Sequence, residues 1–229
     1  MKKIILTLVC LLVAASMFAV DFSVGLKGDL GWNKLIEKTM YDGEEQGDVD
    51  EDYKLRFAGK VGAVFGMQFT EVFAFEPELM IHFGNGFAKH WEEAGVTYDV
   101  KIGFTTIELP LMFKAKLGMG SGYLAFAAGP TLNFAVGDIT ADGTAEYGGT
   151  TQESSETMSF EDMNMKTFSL GIALGAEYGL PVGPGNLVLG ARWEMDLTNS
   201  TDNSDAPEGW EGITKRMAIM PSIAYMFNL

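Results

Sequence analysis

Apolar and polar residues alternate one by one along eight segments of the chain. In the segment IELPLMFKAKL, Ile107 and Leu109 begin an apolar face, while Glu108 and Lys114 lie on the opposite face. A side-chain period of two is typical of a β-strand whose two faces meet different environments. The predicted strands are residues 22–32, 55–69, 73–83, 107–117, 123–136, 167–180, 187–197 and 217–229. Each is near the roughly 9–11 residues that a tilted strand needs to cross a bilayer.

Short and long connections alternate between these strands. The short turns are residues 70–72, 118–122 and 181–186, and the long loops are residues 33–54, 84–104, 138–166 and 198–215. The long loops hold 22 acidic and 7 basic residues, which equals the whole formal charge of −15. The layout predicts an all-β fold, an eight-stranded antiparallel up-and-down β-barrel with four long loops and three short turns. Such a barrel is either soluble, with its apolar face inward around a ligand, or transmembrane, with that face toward lipid. No internal repeat or second domain is visible.

The alternation changes phase at one point. Residues 96–104 are apolar at even positions, whereas residues 107–117 are apolar at odd positions. A slip of one residue is typical of a β-bulge, in which one strand carries an extra residue. We therefore predict a bulge near Thr105–Thr106.

The volume of the side chains indicates which face lies inside. The apolar faces of the eight segments hold 12 of the 16 Phe residues, and they are bulky along their whole length. The interior of an eight-stranded barrel is only just wide enough for side chains to fill, so this set does not fit inside. The opposite faces are rich in Gly, Ala, Ser and Thr, which suit a narrow lumen. The apolar faces are therefore predicted to face lipid.

This orientation places charged side chains in the lumen. Confined charges must be paired or hydrated, because an unpaired buried charge costs several kcal/mol. Glu76 and Glu78 lie at a depth comparable to that of Lys114 and Lys116, so we expect ion pairs there. The predicted lumen charge network comprises Lys27, Asp29, Arg56, Lys60, Glu76, Glu78, Glu108, Lys114, Lys116, Glu177, Arg192, Glu194 and Asp196.

Four aromatic residues lie on the predicted lipid face near the strand ends: Trp32, Tyr178, Trp193 and Tyr225. Amphipathic aromatic rings concentrate at the level of the lipid headgroups in membrane barrels. These four residues are predicted to belong to such an aromatic girdle.

The N-terminus has the order of a secretory signal peptide. Lys2 and Lys3 precede an apolar run, residues 4–13, and small residues follow it. The run is shorter than the roughly 20 residues of a membrane-spanning helix. We predict a cleaved signal peptide at residues 1–20 and a barrel domain at residues 21–229. Cys10 is the single cysteine, so the barrel domain has no disulfide or thiol chemistry.

The remaining chemistry is sparse. The acidic balance makes nucleic acid an improbable partner, because phosphates require basic groups. His82 is predicted to point into the lumen, and His90 to lie in the second loop. The acidic run DVDED, residues 48–52, lacks the glycine of a calcium-binding EF-hand loop and is predicted to be a solvated loop. We expect no catalytic residues, no metal site and no cofactor, and hence no enzyme.

Three motifs carry a resemblance to a known family: PELM at 77–80, ELPLMFKAKLG at 108–118 and YLAFAAGPTLNF at 123–134. There the sequence resembles the outer-membrane β-barrel domain proteins of the porin family, over roughly residues 22–229. The resemblance implies an eight-stranded up-and-down transmembrane β-barrel in the bacterial cell outer membrane, with both termini and the three short turns in the periplasm and four long surface loops. It implies the lipid bilayer and the barrel-assembly machinery as partners. The chain departs from the usual aromatic last residue, since it ends in Leu229.

Two functions follow as hypotheses. The long acidic loops favour a non-enzymatic protein that binds ions, host molecules or envelope components, or that has a structural role in the envelope. The small lumen residues leave room for water and keep a second hypothesis open, a narrow porin-like channel for small solutes.

Overall fold

The computed structural model describes residues 20–48 and 53–229. Its elements in chain order are β1 (Asp21–Tyr41), β2 (Glu44–Asp48), β3 (Tyr53–Lys54), β4 (Arg56–Gln68), β5 (Phe73–Glu93), β6 (Val96–Met119), β7 (Gly122–Tyr147), β8 (Thr150–Met158), β9 (Phe168–Val182), β10 (Gly185–Asp196) and β11 (Trp210–Asn228). The predicted signal peptide, up to residue 19, and residues 49–52 of the DVDED run lie outside the described residues. Within the described residues, no helix is long and apolar enough to cross a bilayer.

Eight of these strands close into a ring. The order is β1, β4, β5, β6, β7, β9, β10 and β11, and β11 pairs again with β1. All the pairings are antiparallel, and apart from the closing pair of β1 with β11 they join ring strands that follow one another along the chain, as in an up-and-down barrel. The predicted fold class is thereby confirmed. The short strands β2, β3 and β8 lie outside the ring and pair with extensions of β1, β5 and β7.

The two faces of the ring differ as the alternation requires. On β1, Leu26 on the outer face is 69% exposed, whereas the neighbouring Lys27 is 4% exposed. Outward positions on the other strands are also large and apolar, such as Phe65, Phe113 and Phe126. An apolar outer wall around a polar interior is the arrangement of a barrel that lies in lipid.

Two of the predicted long loops are largely continuations of the barrel strands. β5 and β6 form one hairpin up to Ala94–Gly95, and β7 and β8 form another up to Gly148–Gly149. Both residues of each turn have positive φ, which is the type I′ geometry that matches the twist of a two-residue hairpin. These extensions project beyond the ring at the end opposite the three short turns. We call these two ends the loop end and the turn end.

The bulge was predicted on β6, near Thr105–Thr106, but the extra residues lie opposite this point on the neighbouring strands β5 and β7. Between His82 and Asn85, β5 carries one extra residue relative to β6, and β7 carries extra residues between Val136 and Thr140. β6 itself keeps one phase, because Ile102, Thr106 and Glu108 are all buried. The phase change in the sequence has another cause: the interior turns from polar to apolar at the loop end, where Ile102 packs into an apolar cluster.

The three motifs of the resemblance meet on adjacent strands. Leu111 on β6 lies opposite Pro77 on β5, and the register with β7 brings it opposite Pro130. In an antiparallel sheet, a residue forms both of its backbone hydrogen bonds with the residue opposite it on one of the two neighbouring strands. Both residues opposite Leu111 are prolines, which have no N–H to donate. The Leu111 carbonyl therefore receives no ladder bond. It lies so near Gly129 that a Cβ there would come within 2.0 Å of it.

Because the apolar side chains of the ring face lipid, a charged residue introduced on this outer face is expected to destabilise the protein far more than one introduced on the extended hairpins. Leu79 is 55% exposed in the middle of the β5 barrel segment, so Leu79→Arg is expected to destabilise the barrel in lipid by about 2–4 kcal/mol. The measurement is urea-induced unfolding of protein refolded into lipid vesicles. The matched control is Thr144→Arg on the β7 extension, for which we expect less than about 0.5 kcal/mol. Equal losses for both variants would contradict the orientation.

Candidate functional site in the barrel interior

A first group of ion pairs lies near the turn end. The Lys114 ammonium contacts Glu76 at 2.6 Å and also contacts Glu177. Lys116 donates to the Gln68 side-chain oxygen at 2.7 Å and lies 3.4 Å from Glu76. Strand β6 supplies both lysines from one face, since they are two residues apart. This group closes the interior next to the three short turns.

A second group lies deeper in the barrel. The Arg192 guanidinium donates to both oxygens of Glu78, at 2.6 and 2.8 Å. Lys27 donates to the same carboxylate at 3.1 Å and lies 3.6 Å from Glu177. Paired donors on a planar carboxylate form the strongest common ion-pair geometry. Since β5 and β10 lie on different sides of the ring, the Glu78–Arg192 pair connects two walls across the lumen.

A third group lies toward the loop end. Glu108 contacts Lys60, and it accepts a hydrogen bond from Arg216 at 2.7 Å. His82 Nδ1 lies 2.7 Å from the same carboxylate. Lys60 also contacts Glu194, and Arg216 lies 3.6 Å from Glu194. These side chains come from β4, β5, β6, β10 and β11 and are almost wholly buried.

Eleven of the thirteen predicted network residues take part in these groups or at their edge, where Asp196 lies 3.6 Å from Arg216. Asp29 is fully buried between the second and third groups, and neither of its oxygens has a hydrogen-bond partner among the described residues.

Arg56 lies apart from the network. Its guanidinium donates to the Ile102 carbonyl and borders a 230 Å³ cavity near Asp142. β5 bulges next to it, and Gly103 on β6 leaves room for the guanidinium, since a Cβ at that position would lie 2.5 Å from it.

Arg216 is a network residue that sequence reasoning missed. The last strand was predicted to begin at residue 217, whereas β11 begins at Trp210. The alternation already contains the signal, because Arg216 has the same phase as the buried Ala218 and Met220. With Arg216 in place of Arg56, the interior holds six positive and seven negative side chains, counted over the described residues.

Strand β7 contributes no charge to the network. Its inward residues in the barrel wall include Ala125, Ala127, Gly129 and Thr131, all of them small. Long Lys, Arg and Glu side chains from the other seven strands fill the space that these residues leave. Two interior cavities near the network measure about 30 and 10 Å³. A space of that size holds one or two water molecules, and it does not form a continuous pore.

A folded cap lies over the network at the loop end. Phe160 packs with Ile102 and Ile139 in an apolar cluster. The cap segment, residues 159–167, is tied to residues 197–204 by backbone hydrogen bonds from Lys166 to Ser200 at 2.8 Å and from Asp202 to Asn164 at 2.7 Å. The interior is thus covered by apolar side chains above and filled by ion pairs below.

The cap segment begins with a local turn. The Ser159 hydroxyl donates to Asp162 Oδ2 at 2.7 Å, and the Ser159 amide donates to the same oxygen at 3.1 Å. These two hydrogen bonds, with the hydroxyl first, hold the pKa of the Asp162 carboxyl below its usual range. The turn directs the following Phe160 into the apolar cluster.

The comparisons with known proteins agree with this architecture. Residues 15–202 match the family model of the outer membrane protein beta-barrel domain. The chain belongs to this family. No curated protein matches the sequence of this outer membrane barrel.

Several solved structures resemble the barrel at low identity. OprG of Pseudomonas aeruginosa is 12% identical, with 93% of this chain and 98% of that one covered and a TM-score of 0.48. Ail of Yersinia pestis is 12% identical, with 90% and 98% covered and a TM-score of 0.38. Neisserial surface protein A is 9% identical, with 89% and 96% covered and a TM-score of 0.37. None of the three transfers a function to this chain.

Membership of the family fixes the orientation of the barrel. The protein lies in the bacterial outer membrane and contacts its bilayer, with the turn end in the periplasm and the loop end at the cell surface. The resemblance found in the sequence is confirmed at the level of the family.

The four aromatic residues predicted for the girdle lie at two levels of the outer membrane barrel. Trp32 and Trp193 lie on either side of Ile219, in one row toward the loop end. Tyr225 donates to the Val182 carbonyl at 2.6 Å, and Tyr178 donates to the Met119 carbonyl at 3.4 Å, both near the turn end. Their role at the headgroups stays a prediction.

The two histidines lie in different environments. His82 is enclosed in the third group, and His90 lies on the extracellular β5–β6 hairpin, where its Nδ1 is 2.7 Å from Asp99. Over residues 20–48 and 53–229, no group of three or more His, Cys, Asp or Glu side chains is arranged to hold a metal ion.

Removing one charge from the third group is expected to destabilise the outer membrane barrel strongly. Glu108→Gln leaves Lys60 and Arg216 with one carboxylate fewer in a dry interior, and breaking a buried pair costs about 3–5 kcal/mol. The control is Lys116→Gln at the open periplasmic end of the network, where solvent compensates and we expect less than about 1 kcal/mol. Both values come from urea unfolding in lipid vesicles. Similar losses at both positions would show that burial of the network does not govern stability.

The turn at the start of the cap predicts a pH effect. Since the pKa of Asp162 is lowered in the folded protein, its hydrogen bonds stabilise the cap above the usual carboxyl pKa of about 3.9 and are lost as the pH falls through the folded value. Ser159→Ala is expected to raise the pKa of Asp162 toward its ordinary value. An NMR titration of the side-chain carboxyl measures it, with Ser154→Ala on β8 as control. An unchanged pKa in Ser159→Ala would contradict the assignment.

Proposed function

We propose that this protein is a non-enzymatic outer membrane barrel with a closed interior, which presents its extracellular strands and acidic loops for binding. One observation carries the proposal. Side chains from seven strands fill the lumen with ion pairs, and the cap covers it at the cell surface. A barrel that is filled in this way acts as a rigid support for whatever projects from it.

The extracellular part supports a binding role. The β5–β6 and β7–β8 hairpins extend well beyond the rim, and the four long connections hold 22 acidic and 7 basic residues. A strong field of one sign attracts basic partners and accelerates their association. Binding residues concentrate on segments that a rigid scaffold holds in place. The ligand is thus expected to carry positive charge.

The alternative, a narrow channel for small solutes, requires a continuous water path. Three ion-pair groups lie in series along the lumen: around Glu76 and Lys114, around Glu78 and Arg192, and around Glu108 and Lys60. A solute has to displace all three groups and the cap. An enzymatic role has little support as well, because the buried His82 is occupied by Glu108 and Arg216 and has no access to substrate.

Assembly in the membrane belongs to the same proposal. Tyr225 and Phe227 continue the outward alternation up to the last residue, and their rings pack at 4.7 Å. The barrel-assembly machinery is proposed to recognise these outward aromatic residues of β11. A Phe227→Ala variant is the direct test of that recognition in an in vitro assembly assay.

Single-channel conductance tests the closed interior. Refolded wild-type protein in a planar bilayer is expected to show no stable discrete steps at any salt concentration, with folding verified by heat-modified gel mobility. Lys114→Ala combined with Lys116→Ala is also expected to stay silent, because the group around Glu108 and Lys60 still blocks the path. Stable cation-selective steps from the wild type would replace the proposal by the channel. Steps from the double variant alone would show that the periplasmic group is the whole barrier.

A further inference from the structure

The outermost strand of the extracellular sheet has a free edge. β8 pairs with β7 over its whole length from Thr150 to Met158, and among the described residues it pairs with no second strand. Inside the barrel wall the neighbour of β7 is β9, but β9 begins only at Phe168. β10 ends at Asp196, and the chain after it folds inward as part of the cap. Nothing in the described chain therefore covers β8 from the side.

The turn at Gly148–Gly149 determines which backbone groups point to that edge. In a two-residue type I′ hairpin the flanking residues, Tyr147 and Thr150, form a hydrogen-bonded pair, and bonded and non-bonded pairs then alternate. The residues of β8 in non-bonded pairs direct both their N–H and their C=O away from β7. By this count they are Thr151, Glu153, Ser155 and Thr157.

This edge has only part of the usual protection against a further strand. Natural edges are blunted by charged side chains, most often lysine, by proline, by a bulge or by a very short length. β8 carries two glutamates, which oppose acidic strands but not basic ones, and it has no lysine or proline. β8 has nine residues, reads TTQESSETM, and pairs with β7 without a register shift. Thr150 to Thr157 are all exposed. Such an edge is a template for β-augmentation, in which an extended peptide joins the sheet through main-chain hydrogen bonds.

The charge of the hairpin selects the partner. Residues 138–158 contain five acidic residues and no Lys, Arg or His: Asp138, Asp142, Glu146, Glu153 and Glu156. Glu153 lies on the same face of the sheet as Asp142 and Glu146, whereas the other face of β7 carries Ala141, Gly143 and Ala145. A bound strand lies next to β8, whose Glu153 is on this face and whose Glu156, opposite Ala141, is on the other, so each face of the added strand meets a carboxylate. The same charge disfavours pairing with the edge of a second copy.

We propose that the β8 edge binds an extended, basic polypeptide segment, which adds to the β5–β6–β7–β8 sheet as a further antiparallel or parallel strand. The inference rests on the proposed function and names the partner class of its extracellular surface. Main-chain bonds supply the affinity, and the acidic hairpin with Glu153 and Glu156 at its edge selects segments with lysine or arginine over neutral or acidic ones.

The probe is a nine-residue peptide in which lysine alternates with valine, and the same peptide with glutamate in place of lysine serves as control. The refolded protein is held in nanodiscs of zwitterionic phosphatidylcholine, so that the bilayer does not attract the peptide. Amide hydrogen exchange followed by NMR is the readout. We expect the lysine peptide to protect the amides of Thr151, Glu153, Ser155 and Thr157, while the amides of the intervening residues, already bonded to β7, change little.

Two variants separate the edge from the charge. Thr151→Pro with Thr157→Pro removes two outward N–H groups, leaves the β7–β8 bonds intact and keeps the charge, so the lysine peptide is expected to bind about tenfold more weakly. The matched control, Thr151→Val with Thr157→Val, is expected to bind like the wild type. Retained exchange protection in the β7–β8 ladder verifies that both hairpins are folded.

Equal affinity of the proline and valine variants would overturn the added strand, as would wild-type binding without protection of alternate amides. Either result leaves surface binding by the acidic loops standing. Equal binding of the lysine and glutamate peptides would overturn the choice of a basic partner. Discrete conductance steps from the wild type would overturn the closed-interior function whatever the peptide does, so the two failures are distinguishable.

Discussion

The structure depends on placing thirteen charged side chains in a lumen that is too narrow to hydrate them, apart from Lys116 at the open periplasmic end. Taking an ion out of water costs several kcal/mol, and only close opposite charges and hydrogen bonds recover that free energy. The groups around Glu78 and Glu108 meet this requirement by joining residues that are far apart in sequence, such as Lys60 and Glu194. These contacts form only when the ring closes in the correct register. The ion pairs therefore specify the closed barrel more than they add to its net stability.

The same constraint explains the unequal composition of the strands. A barrel in which every strand carried long inward side chains would exceed its interior volume. β7 provides the compensation, since Ala125, Ala127 and Gly129 leave room for Lys114 and Glu177 from the strands on either side. Met80, Met112 and Met220 are fully buried. Their flexible side chains fill the remaining irregular gaps. The interior is thus packed as closely as a soluble core, with ion pairs in the place of aliphatic contacts.

The sequence predicted the eight strands, their order and their orientation because the lipid and the lumen impose opposite demands on alternate residues. It did not predict the lengths of β5, β6 and β7 beyond the rim. There both faces of much of the sheet meet water, and Thr144 and Ala145 differ too little to mark a strand. Arg216 was missed because the last strand was predicted to begin at residue 217, whereas β11 begins at Trp210. The separate positions of Asp29 and Arg56 depend on register and on the bulge of β5, neither of which alternation determines.

The phase change in β6 records a change of solvent. Below the rim, the outward residues Ile107 and Leu109 face lipid, and Glu108 faces the charged lumen. Above the rim, Lys101 points outward into water, and Ile102 points inward to the apolar cluster beneath the cap. The strand keeps its geometry while the polarity of its two faces is exchanged, which in sequence looks like a slip of one residue. In a membrane barrel whose strands extend beyond the bilayer, an inversion of this kind marks the edge of the hydrocarbon layer, and here it places the outer edge between residues 103 and 107 of β6.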